Sequence, residues 1–211
     1  GTTMLFQTTQ AHEELRAKIR AFAEEEIKPI AFMLDQQNEF PDEAIRKLGE
    51  MGLMGIPFPK EYGGAGLDAL SYAIAVEELA RVDGGAGVIL SAHVSLGSWP
   101  IFAYGTEEQK MKYLPDLLSG RKIGAFGLTE PGAGTDAQGQ QTTAVLDESG
   151  ENYILNGSKC FITNGKEADV YIVIAVTGIV EKRGRKMKEI SSFIVEKGTP
   201  GFTFGTKEKK M

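Results

Sequence analysis

Hydrophobic residues recur with two different periods along this chain. Up to about residue 118 they return every three or four positions, the spacing that gathers them on one side of an α-helix. Leu15, Ile19, Phe22, Ala23, Ile27 and Ile30 make one such face. Pro41 predicts the start of a second helix, with Ala44, Ile45, Leu48 and Met51 inward and Gly52 near its end. Pro57, Pro59 and Gly63-Gly64-Ala65-Gly66 then mark a turn-rich stretch. A third helix is predicted over 70–82, with Tyr72, Ala73, Val76, Leu79 and Ala80 inward and Glu77, Glu78 and Arg81 on the polar side. The uncharged run 84–104 contains glycines, serines, His93 and Pro100, so it reads as a buried helix with a loop and not as a membrane span. Thr106 and Gln109 predict a capping box opening a fifth helix, which stops before Gly120.

After Arg121 the period becomes two. Tyr153 and Leu155 read as a strand that enters a type I′ hairpin at Asn156-Gly157 and returns over 159–163, and Asn164-Gly165 marks a second turn. Residues 170–176 and 190–195 are apolar strands, and 202–205 begins another. The basic run Lys182, Arg183, Arg185, Lys186 and Lys188 between them reads as a solvated hairpin loop. The predicted class is therefore α+β: an all-α helical domain over 1–120, then an antiparallel β-sheet or barrel domain over 121–211.

A chain of 211 residues, 42% hydrophobic, has ample material for a core, and its net charge of −6 argues against general nucleic-acid binding. The lone cysteine, Cys160, has no partner for an internal disulfide and reads as a small apolar filler. His12 and His93 lie far apart with no ligand spacing, so no metal site is expected, and His12, at a helix start, reads as solvated.

The candidate chemistry sits in 126–136, Phe-Gly-Leu-Thr-Glu-Pro-Gly-Ala-Gly-Thr-Asp. Gly132 and Gly134 lack Cβ and let a backbone approach a flat ligand closely. The exposed main-chain donors of such a turn need acceptors, which a heterocycle rich in carbonyls and ring nitrogens supplies. Gly132, Gly134 and Ala137 also fit the dinucleotide fingerprint, but the following 136–146 has no helical period, so no helix N-terminus is available for a pyrophosphate.

Thr129 to Asp136 and Asn156 to Gly165 resemble the two flavin-contacting segments of the acyl-CoA dehydrogenases. Pro59 to Gly66 resembles an early loop of that family, and Gly105 to Lys110 with Tyr113-Leu114-Pro115 its fifth-helix start. The resemblance covers essentially the whole chain in order. It implies FAD as cofactor, with Phe126, Gly127, Leu128 and Thr129 along the flavin ring, Gly134 and Thr135 near the pyrophosphate and the acyl-CoA, and Phe161, Ile162 and Thr163 on the ring's other side. Phe161 stands where many members carry tryptophan, keeping an aromatic face without the indole N–H.

By register, Ala92, His93, Ser95 and Leu96 fall where the family's fourth helix approaches the acyl tail. His93 is expected either to close the pocket bottom, favouring a short chain, or to be a satisfied core histidine. The resemblance implies a short-chain, butyryl-CoA-type dehydrogenase that passes electrons to an electron-transfer flavoprotein. It implies a homotetramer, in bacterial cytoplasm or mitochondrial matrix, with no membrane or nucleic-acid partner. The family's base is a glutamate in a C-terminal helical bundle that this chain is expected to lack, so no catalytic residue is assigned here and the chain alone is expected to be inactive. The alternative is a non-catalytic flavin- or acyl-CoA-binding module on the same scaffold.

Overall fold

The computed structural model describes residues 9–31, 42–129, 143–156, 160–162 and 168–200. The helix start expected at Pro41, the turn at Asn164-Gly165 and the strand over 202–205 lie outside the described residues.

The helical period yields α1 (Gln10–Phe22), α2 (Asp42–Glu50), α3 (Ala69–Val82), α4 (Gly84–Ser91), α5 (Trp99–Tyr104) and α6 (Glu107–Leu118). Local signals place the ends: Thr9 and Thr106 each form a capping box, and Asp68 and Asp83 cap α3 and α4. A π-helical turn, Ala23–Ile27, extends α1 and keeps Ile19, Ala23 and Ile27 buried in one line. The loop expected within 84–104 is instead a second π segment, Ala92–Ser98, that joins α4 and α5 into one rod, Gly84–Tyr104. By length and composition that rod could cross a membrane, yet half of its apolar window is buried inside the protein, where Ala86, Leu90, Val94 and Ile101 enter the core.

Two expectations in the helical half are corrected by tertiary partners. On α3 the inward residues are Ser71, Ile74, Ala75, Glu78 and Leu79, while Ala73 and Ala80 face outward. Glu78 is buried because Arg16 donates to it at 2.8 Å and Arg20 at 2.9 and 3.0 Å from α1. His12 is buried too. Its Nε2 donates to Asp68 at 2.8 Å and its Nδ1 accepts from the Thr9 N–H at 3.0 Å. A periodicity scale counts charge as outward and cannot register a partner more than fifty residues away.

The sheet contains β1 (Gly124–Thr129), β2 (Thr143–Leu146), β3 (Tyr153–Asn156), β4 (Cys160–Ile162), β5 (Val170–Lys182) and β6 (Arg185–Glu196). Helices followed by a sheet is the α+β plan read from the two periods. Pairing within the sheet is mixed, however. β6 runs antiparallel along the whole length of β5, from Val170↔Glu196 to Lys182↔Arg185. A strand has only two edges, so β1 and β2 share the other one. Both run parallel to β5, β1 over Val170–Val173 and β2 at Val176. Parallel neighbours need a long connection between them, and β2, β3 and β4 lie within it.

The same register overturns the hairpin expected at Asn156-Gly157. β3 is antiparallel to β2, and β4 is antiparallel to β1. β3 and β4 therefore point the same way, whereas a hairpin reverses the chain.

The first half of β5 is buried on both faces. Val170 and Ile172 join the helical core, while Tyr171 and Val173 form a second cluster with Ala168 and Val195 on the opposite side. The basic run forms the tip of the β5–β6 hairpin, whose turn places Arg183 at φ 51° and Gly184 at φ 74°.

Candidate functional site

The two motif segments meet in the sheet, and the register shows where. Thr129 pairs with Cys160, and Thr143 pairs with Asn156. Residues 130–142 thus connect β1 to β2 and residues 157–159 connect β3 to β4, both between the same two rungs. Along β5 the gap is short. Gly127 faces Val173 and Thr143 faces Val176, a separation of about 10 Å at the usual strand rise. The described flanks of both motifs consequently converge on one spot beside the middle of β5.

The ladder is irregular at that spot. Phe126 pairs with Ile162 and Thr129 with Cys160, so Gly127 and Leu128 on β1 oppose Phe161 alone on β4. Such a bulge leaves an extra residue outside the ladder and frees main-chain donors and acceptors. Glycine at 127 adds no side chain there. Main-chain groups released at a strand end are suited to a flat heteroaromatic ring with carbonyls and ring nitrogens. The backbone of Phe126 to Thr129 and of Phe161-Ile162 is therefore brought together, whereas Gly134, Thr135 and Thr163 lie outside the described residues.

The α4–α5 rod abuts the start of this strand. Gly97 and Gly124 meet backbone to backbone, and a Cβ on either would come within 3.2 Å of the other's Cα. Ile123 is stapled to the start of β5: its N–H donates to Asp169 Oδ2 at 2.9 Å, and its carbonyl accepts from the Asp169 and Val170 N–H groups.

The candidate acyl-side residues divide between two faces of the rod. Ala92 is half-buried and Ser95 is exposed, on an open side that they share with Val88 and Trp99. Tyr72 of α3 reaches this face and lies 3.2 Å from the Ser95 hydroxyl. From the sequence Tyr72 was read only as an inward residue of its helix, and Trp99 was not singled out. The spacing of Val88, Ala92, Ser95 and Trp99 at helical intervals was the available signal.

His93 points the other way and is fully buried at 0% exposure. Its Nε2 lies 2.7 Å from the Leu117 carbonyl, which can only accept, so Nε2 carries the proton. Its Nδ1 accepts from the Gly124 N–H at 3.5 Å. Burial pushes its pKa down against the smaller upward pull of the Leu117 carbonyl, which keeps the ring neutral. A cleft of about 600 Å³ opens between α5–α6 and β5–β6 beside Tyr104, Lys112 and Phe193, and among the described residues Ala92, His93 and Ser95 do not line it.

Comparison with known proteins agrees with this geometry. Residues 9–121 match the profile of the acyl-CoA dehydrogenase N-terminal domain, and residues 125–211 that of the acyl-CoA dehydrogenase middle domain. The chain is 55% identical over 208 residues to a short-chain specific acyl-CoA dehydrogenase of Clostridium acetobutylicum, covering 99% of this chain and 53% of that protein. It is 44% identical to the mitochondrial short-chain specific acyl-CoA dehydrogenase of Mus musculus, covering 96% and 48%.

Among solved structures it superposes on butyryl-CoA dehydrogenase from Megasphaera elsdenii with a TM-score of 0.87 at 47% identity, over 98% of this chain and 54% of that one. A chain from a structure described as the electron transferring flavoprotein of Acidaminococcus fermentans gives 0.86 at 52% identity, over 98% and 53%. An acyl-CoA dehydrogenase complexed with FAD from Bacillus anthracis gives 0.85 at 42%, over 97% and 34%. The chain spans about half the length of the curated relatives it matches. Two adjoining domain profiles in register, over a fold with both motif flanks at one bulge, establish that the chain belongs to the acyl-CoA dehydrogenase family.

Proposed function

We propose that this chain supplies the helical and middle β portions of an FAD-dependent dehydrogenase acting on short-chain acyl-CoA thioesters. The observation that carries the reading is the pairing of Thr129 with Cys160 and of Thr143 with Asn156, which puts both motif segments between the same rungs, next to the bulge at Gly127-Leu128. In this reading the main-chain groups of Phe126 to Thr129 hydrogen-bond the rim of the flavin ring, and Phe161, Ile162 and Thr163 cover its other side. Gly134 and Thr135 approach the pyrophosphate and the thioester. Ala92 and Ser95, on the open face of the rod, bound the acyl tail, with a relative's name, short-chain specific, supporting a short tail.

Bound FAD supplies the hydride acceptor for α,β-dehydrogenation. The part played by this chain is to bind and orient it and to shield it from water. None of its residues is assigned as the base. An electron-transfer flavoprotein as electron acceptor is supported by the likeness to a chain from an electron transferring flavoprotein structure. A homotetramer, in a bacterial cytoplasm or mitochondrial matrix, completes the proposal.

The test is optical. The 211-residue chain should quench added FAD fluorescence saturably, and Thr129→Val should weaken that binding about tenfold through loss of one hydrogen bond to the ring. The chain carrying FAD should stay yellow on anaerobic addition of butyryl-CoA. Absence of saturable FAD binding would reject the cradle, and bleaching would reject the assignment of no base to this chain.

A further inference from the structure

The buried imidazole of His93 makes contacts that the proposed chemistry does not use. It sits second in the π segment Ala92–Ser98, on the side that faces the start of β1. Nε2 donates to Leu117 O at 2.7 Å, near the C-terminal end of α6, where helix carbonyls lack intrahelical partners. That carbonyl also accepts from Gly120 N–H at a longer 3.3 Å. Nδ1 faces the N–H of Gly124, the first residue of β1. One ring thus touches the rod, the end of α6 and the beginning of the bulged strand. The Gly97–Gly124 contact, four residues along the same segment, presses the rod and strand together without side chains between them.

We infer that His93 is a positioning residue: its Nε2–H tautomer locks the acyl-facing rod to β1 and so sets the separation between the open face at Ala92 and Ser95 and the bulge at Gly127-Leu128. The inference rests on the flavin reading for its functional consequence and on the hydrogen bonds alone for its geometry. A protonated ring could not accept from Gly124, and the other tautomer would turn a lone pair toward Leu117 O. Neutrality and tautomer are therefore part of the device.

The test uses the 211-residue chain and the variants His93→Leu, His93→Gln and Leu90→Ala. Leu90 is a fully buried residue of the same rod and controls for lost stability. Long-range ¹H–¹⁵N correlation should show the proton on Nε2. His93→Leu should speed amide exchange at Gly124 and raise the FAD dissociation constant, each at least tenfold. His93→Gln, whose amide can offer both a donor for Leu117 O and an acceptor for the Gly124 N–H, should recover FAD affinity to within about threefold of the parent. Leu90→Ala should lower the melting temperature while leaving FAD affinity within about twofold.

Equal loss of FAD affinity in Leu90→Ala and His93→Leu at matched melting temperatures would overturn the inference, as would a proton on Nδ1. Should His93→Leu not fold, the tautomer and the His93→Gln exchange rate decide it. Should the parent chain not bind FAD, the flavin reading falls, and the lock is judged by Gly124 exchange and the tautomer.

Discussion

Glu78 shows how much one carboxylate can organise. It is 1% exposed, and the Arg20 guanidinium, with Arg16 and Arg81 behind it, holds its carboxyl below the usual range against the opposing effect of burial. The arginines remain partly open to water, so they can hydrate if their acceptor is lost. Glu78→Gln preserves the shape but removes the charge and turns an amide NH₂ toward arginine donors. It is expected to cost about 1.5–3 kcal/mol, the range for hydrogen bonds to charged groups. Urea unfolding of the two proteins checks this, and an unchanged midpoint would show that the cluster is replaceable. His93 and His12 teach the same lesson. Each is buried because each ring nitrogen has a partner, and both pairs of partners include groups distant in the chain.

Elements depart from regular geometry where they approach the candidate site. The rod carries its π segment opposite β1, and β1 carries its bulge opposite β4. Both are local irregularities that aim groups an ideal helix or ladder would leave in register. The β5–β6 hairpin is irregular in two places, a register shift between Val176 and Gly178 and the turn at its tip. Arg183 at φ 51° occupies the left-handed region, which disfavours a side chain like arginine and favours asparagine in a type I′ turn. Arg183→Asn should therefore stabilise the chain by about 0.5–1 kcal/mol, part of the cost of placing an ordinary residue there. Thermal denaturation at constant pH measures it. A fall in melting temperature would mean that the arginine side chain makes a contribution larger than its backbone cost.

For the whole molecule, the groups displaced by folding set a stability profile against pH. His93 has its pKa lowered from the ordinary 6.5, so the unfolded chain takes up a proton that the fold refuses. Its contribution is present above about pH 6.5 and declines as the pH falls below that value. Asp68 is held down to about 2, first by the Ser71 hydroxyl, then by the Ser71 N–H and His12. Its contribution is present above its unfolded value of 3.8 and fades as the pH falls toward 2. Tyr62 donates to Glu107 at 2.8 Å, and that bond raises its pKa to about 12. Its contribution is complete below pH 10 and is lost as the pH rises toward 12. Stability should thus be greatest between about pH 7 and 10, with the first acid decline absent in His93→Gln. Melting temperatures across pH 3–11 test both limbs. A parent profile flat from pH 7 to 5 would contradict the placement of a neutral buried imidazole.

Much of the architecture was legible before any coordinates, because apolar period, capping boxes and turn residues act over a few neighbouring positions. The change from helices to strands near Gly120 follows from side-chain spacing alone, and the pairing of Thr106 with Gln109 needs only one helical turn. What coordinates added was everything carried by distant partners. Asn156-Gly157 has the local chemistry of a hairpin, yet β3 and β4 run the same way because β1 and β2 occupy one edge of β5. Ala92 and His93 are adjacent in sequence but serve opposite faces of the rod, and only packing against β1 assigns the imidazole to the interior. Local patterns choose the element. Edge availability and the requirement that buried polar atoms find partners choose where each element and side chain goes.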